Sequence, residues 1–106
     1  MPKYMVQGSL SASGMAGVVE EGGSRRHLAV KKAVESMGGK LEAVYFAFGE
    51  TDVYAIAEMP DNVSAAAFAM VVGLAGGATA TTTVLITPEE ADEIVKKKAN
   101  YRPPGK

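Results

Sequence analysis

Residues 40–59 read KLEAVYFAFGETDVYAIAEM. Lys40 to Phe48 is rich in aromatic and branched residues, Gly49-Glu50-Thr51-Asp52 is a turn, and Val53 to Met59 repeats the strand-like composition. Two such runs around a short glycine-containing turn form a hairpin. Helical periodicity flanks it on both sides. Upstream, Ala29, Val30, Ala33, Val34 and Met37 share one stripe of a helix that Ser24 can cap and Gly38-Gly39 stops. Downstream, Pro60-Asp61-Asn62 ends the second strand, and an apolar helix runs from Val63 to Ala75. A hairpin set between two helices is the middle of a βαββαβ chain.

The rest of the chain supplies the outer elements. Lys3 to Ser9 reads as a strand, and Ser11 or Ser13 can cap a short helical segment carrying Met15, Val18 and Val19 until Gly22-Gly23 breaks it. Ala78 to Ile86, dense in Thr and Val, is the fourth strand. Thr87-Pro88-Glu89-Glu90 opens a last helix with a threonine cap, a proline in the first turn and a glutamate three past the cap. Its acids stand near the start and Lys96-Lys97-Lys98 at the end, which suits the helix dipole. The order predicts an α+β fold, a ferredoxin-like βαββαβ sandwich with an extra C-terminal helix. Residues 1–98 form the single domain and residues 99–106 an extended arm.

Composition narrows what such a domain can do. The chain has 106 residues, 47% hydrophobic and 22% charged, ordinary proportions for one globular domain. Eleven Lys plus Arg against twelve Asp plus Glu give a net charge of −1, without the basic footprint of a nucleic-acid binder. The aromatics Tyr45 to Phe48 lack the preceding basic and glycine pattern of an RNA-stacking motif. There is no cysteine, which removes disulfides, thiolate metal sites and thiol chemistry. The single histidine, His27, excludes a poly-His metal site within one chain. No P-loop or dinucleotide fingerprint is present, so no cofactor is expected. The uncharged stretch from Asn62 to Pro88 is interrupted by Gly76-Gly77 well short of the roughly 20 apolar residues of a membrane span. Met1 to Gly8 lacks the apolar run of about 7–15 residues in a signal peptide. A soluble cytoplasmic protein is the expectation.

The apolar pattern also predicts a partner. Leu41, Ala43, Tyr45 and Ala47 make one face of their strand, while Val44, Phe46 and Phe48 share the other with Glu42. Val53, Ala55, Ala57 and Met59 oppose Tyr54, Ile56 and Glu58. Both faces want cover, although an antiparallel sheet with one wet face alternates apolar and polar residues. At about 100° per residue, Val63, Ala67, Met70 and Leu74 form one stripe of helix 63–75, and Phe68, Val71, Val72 and Ala75 form another. One small sandwich covers one side only. A homo-oligomer is therefore expected, with two sheets packed face to face as a dimeric α/β barrel and Phe68, Met70, Val71 and Val72 at the oligomer interface.

The most suggestive polar stretch is Gly22-Gly23-Ser24-Arg25-Arg26-His27. A glycine pair opening a helix offers free backbone N–H groups at the positive end of the dipole, and arginines add bidentate donors for carboxylate or phosphate. Arg26 falls near the middle of the apolar stripe of its helix and points towards the end of the sheet. An anion-binding corner fits this, as does an ion pair with Asp52 or Glu58. The expected site lies between sheet and helices, with Arg25, Arg26 and Asp52 as polar anchors and Tyr4, Phe46 and Tyr54 as walls, and it takes a small anionic or aromatic organic ligand. His27 is the one candidate for acid–base work, should the chain be an oxygenase- or isomerase-like enzyme, cofactor-free or haem-using. A structural or interaction subunit is the third possibility.

Several blocks resemble the GYD-domain family of small bacterial proteins. They are Phe46 to Tyr54 with Met59 to Ala66, Met1 to Tyr4, Glu21 to Ser24 with Arg26, Val34 to Glu42, Leu85 to Glu90 and Tyr101 to Gly105. The chain keeps Gly49 and Asp52 of the name-giving motif but has Thr51 at its tyrosine position, so a pocket role for that tyrosine does not carry over. The resemblance implies a ferredoxin-like, dimeric α/β-barrel-type fold and assigns no activity.

Overall fold

In the computed structural model, which describes all 106 residues, the chain runs β1 (Lys3–Leu10), α1 (Ala12–Glu21), α2 (Gly23–Ser36), β2 (Lys40–Phe46), β3 (Val53–Glu58), α3 (Asn62–Ala75), β4 (Ala78–Leu85) and α4 (Pro88–Lys96). The strands form one antiparallel sheet in the order β2-β3-β1-β4. Its centre is a long-range pair, with Val6 opposite Ala55 and Tyr4 opposite Ala57. This α+β arrangement is consistent with the ferredoxin-like sandwich expected from the hairpin and its two flanking helices.

Three local features differ from the sequence-based reading. The strand expected to run to Phe48 ends at Phe46. Ala47 N–H still donates to the Asp52 carbonyl at 2.8 Å, one step on in the same register, but Asp52 N–H turns to β1 and donates to the Gly8 carbonyl at 2.9 Å. A register shift between Leu41 and Ala43 leaves Glu42 out of step, so the bulge carries Leu41 onto the face of Val44 and Phe46 instead of that of Ala43 and Tyr45. α2 starts at Gly23 with no side-chain cap. Gly22 alone separates α1 from α2, and its φ of 87° favours a residue without a Cβ.

Other boundaries follow their caps. Ser11 accepts from Gly14 N–H at 3.1 Å to start α1, and Asp61 accepts from Ser64 N–H at 2.8 Å to start α3 at Asn62. The capping box of α4 is complete: Glu90 N–H donates to Thr87 Oγ1 at 3.1 Å and Thr87 N–H to Glu90 Oε1 at 3.0 Å.

The core lies between one sheet face and the helices, where Tyr4, Val34, Ala57, Met59, Ala65 and Phe68 form one cluster. Phe68, expected at the oligomer interface, is only 7% exposed and belongs to this core. Val72 is half-buried against the same cluster. Of the two apolar stripes on α3, theirs is the one the sheet covers. The other stays bare, with Val63 78%, Met70 75% and Leu74 90% exposed, and Val71 is more than half exposed. Every residue from Pro88 to Lys106 is exposed, and α4 makes no substantial packing with any other element. No helix is long and apolar enough to cross a membrane.

Candidate functional site

Alternation along the strands sends Val6, Gly8, Val44, Phe46, Val53, Ala55 and Ala80 towards the helices. Apart from Phe46 these residues carry little bulk, so the sheet and helices do not meet tightly at that end. The gap is a cavity of about 110 Å³. Val18 of α1, Val30 of α2 and Phe68 and Val72 of α3 close it from above. Twelve of its fifteen lining residues are hydrophobic, and Arg26 is the only charged one. A shallower groove adjoins it, sharing Leu10, Val18 and Phe46 and continuing over Met15, Phe48 and Asp52.

Arg26 reaches the cavity because of how α2 begins. Gly22 alone joins α1 to α2, so Glu21 stays close to the first turn of α2, and Arg26 lies one turn before Val30 on the same stripe. Its Nη1 stands 3.7 Å from Glu21 Oε2, and its side chain is 43% exposed. Glu21 is thus its ion-pair partner, in place of the Asp52 or Glu58 considered from sequence. A pair at that distance is held by charge without a hydrogen bond, and the five donors of the guanidinium make no hydrogen bond to a protein acceptor.

The other expected site residues are dispersed. Phe46 lines both the cavity and the groove. Asp52 lines the groove, where its Oδ2 accepts from Leu10 N–H at 2.8 Å and locks the β2–β3 turn onto β1. Tyr4 is a core residue, 2% exposed, whose hydroxyl donates to Asn62 Oδ1. Tyr54 pairs with Gln7 and Tyr45 on the opposite face of the sheet, so it cannot be a wall of a pocket beneath the helices. Arg25 and His27 are exposed and outside the cavity lining. No group of three or more His, Cys, Asp or Glu is placed to hold a metal ion.

Sequence reasoning missed Val18, Val44 and Thr79 as lining, and took Val72 for an interface residue. The signal available was phase: Arg26, Val30 and Val34 lie at i, i+4, i+8, so whatever covers Val34 also approaches Arg26. The family model for the GYD domain matches residues 4–95. No curated protein and no solved structure matches the chain.

Proposed function

The chain belongs to the GYD-domain family, and from that premise we propose that it is a small homo-oligomeric cytoplasmic protein holding a small organic anion between its sheet and helices. The observation that carries this reading is the single charge of Arg26 at an otherwise apolar cavity. A cationic head beside an apolar chamber suits a ligand with a carboxylate at one end and hydrocarbon at the other. The chamber, about 110 Å³, is somewhat smaller than the roughly 150 Å³ engineered cavity that accepts benzene. Short-chain carboxylates are therefore the ligand class, and a single-ring carboxylate fits only by extending into the adjoining groove over Met15 and Phe48.

Homo-oligomerisation is supported by what one chain leaves uncovered. Met5, Tyr45, Tyr54 and Ile56 share the sheet face away from the helices, and Tyr45 is 67% exposed. Packing two such faces together gives the dimeric α/β barrel and removes the aromatic pair Tyr45–Tyr54 from water.

Calorimetric titration with benzoate and with butyrate tests the ligand reading. Saturable binding that falls at least tenfold in Arg26→Gln and is unchanged in Arg25→Gln is the expected result. Equal affinity in wild type and Arg26→Gln, or no binding by either, would contradict it.

A further inference from the structure

The chamber under the helices and the groove beside it carry opposite charges. Arg26 is the one charged residue lining the chamber. Asp52 is the one charged residue lining the groove, whose other walls include Met15, Ala47 and Phe48. The two spaces share Leu10, Val18 and Phe46. They form one apolar passage with a cation in its first part and an anion in its second. The chamber, about 110 Å³, holds only a short hydrocarbon chain, so a longer one leaves it past Phe46 and enters the space that Asp52 lines.

Asp52 carries more charge than its structural task needs. Its Oδ2 accepts from Leu10 N–H at 2.8 Å, a bond that the amide oxygen of an asparagine in the same turn would make as well. Its Oδ1 accepts no hydrogen bond within the chain, and no Lys or Arg stands within ion-pair distance of it. Asp52 is half-buried. A carboxylate among apolar walls with no cation beside it gains from a charged donor that a ligand brings. Glu21, the partner of Arg26, lines neither space, so the far end of a ligand chain meets Asp52 first.

Resting on the carboxylate reading above, we propose that the site takes a linear ω-amino carboxylate. Its carboxylate lies at Arg26, its methylene chain passes through the chamber and past Phe46, and its ammonium donates to Asp52 Oδ1. A linear spacer suits a chamber too small for a ring, and the two fixed charges set the direction in which the molecule enters.

Calorimetric titration at neutral pH compares γ-aminobutyrate, δ-aminovalerate and ε-aminocaproate with pentanoate, hexanoate and heptanoate. In each pair a methyl group replaces the ammonium at the same chain length. Wild type is expected to bind at least one amino acid about fivefold or more tightly than its methyl counterpart, a charge-assisted hydrogen bond outweighing the apolar gain of the methyl. Asp52→Asn, which keeps the acceptor for Leu10 N–H, is expected to reverse that preference, and Glu21→Gln to retain it. Circular dichroism confirms that each variant is folded. The N-acetylated amino acids, which lose the positive charge, test the same point on wild type alone and are expected to lose the advantage. Plain carboxylates that bind through Arg26 with no preference for any amino counterpart overturn the inference and leave the carboxylate reading standing. Binding by neither series overturns both. A preference that persists in Asp52→Asn also overturns the inference, because another group then holds the ammonium.

Discussion

The Arg26 guanidinium and the Glu21 carboxylate stand 3.7 Å apart across the Gly22 turn, near enough to attract and too far to hydrogen-bond. Both side chains are more than a third exposed, and such pairs contribute only about 0–1 kcal/mol. A carboxylate arriving at Arg26 therefore displaces little. Glu21 in turn repels it.

Glu21→Gln is accordingly expected to tighten carboxylate binding by a few-fold, with the gain shrinking as salt is raised. Titration of wild type and variant at low and high salt measures it. Weaker binding by Glu21→Gln would mean that Glu21 contacts the ligand.

Gly14 and Gly17 lie on the same helix and respond oppositely to alanine. A Cβ on Gly14 would fall on the Gly77 carbonyl, which also accepts from Ser11 N–H at 2.9 Å, whereas a Cβ on Gly17 meets nothing. Gly14→Ala should destabilise by about 1–3 kcal/mol as overpacking, and Gly17→Ala should stabilise by about 0.5–1 kcal/mol. Urea unfolding of both variants separates them.

Phe68 and Met70 are two residues apart, with one inward and one outward. Phe68→Ala should cost about 3–5 kcal/mol of fold stability. Met70→Asp should leave unfolding of the dilute chain within about 0.5 kcal/mol of wild type. Urea denaturation of both variants reads the contrast.

Asp61 has its pKa lowered from the ordinary 3.8, first by the hydrogen bond from the Ser64 backbone N–H and then by the side chain of Ser64. A carboxylate stabilised in the folded state adds stability that is full above its unfolded value and lost as pH falls through the lower folded value. Asn keeps the cap without the charge. The stability of Asp61→Asn should therefore approach that of wild type as pH drops below 3.8, and a constant difference down to pH 2 would count against the cap as the source.

How far the fold was legible depended on the range of each interaction. The capping box at Thr87 and Glu90 is settled by neighbours in sequence and was readable, whereas the β2–β3 connection starts two residues early because Asp52 is tied to Gly8 and Leu10 of β1. Leu41 changed face because of a bulge at Glu42 that no composition marks. Tyr54 was misplaced because its face depends on its register with Gln7 of β1. Helical phase gave two apolar stripes on α3 but not which one the sheet covers, so Phe68 was taken for an interface residue. Phase did direct Arg26 to the end of the sheet. Its partner Glu21 was hidden because the two lie five residues apart across the helix break at Gly22, a spacing that one continuous helix does not bring together.

Native mass spectrometry of the full chain, alone and with benzoate, reads assembly and ligand together. The expected spectrum shows two chains of 11.0 kDa held as one species that gains the mass of the carboxylate, and Arg26→Gln gives the same species without that gain. A monomer throughout, or the same gain in both proteins, would contradict a homo-oligomer that holds its ligand at Arg26.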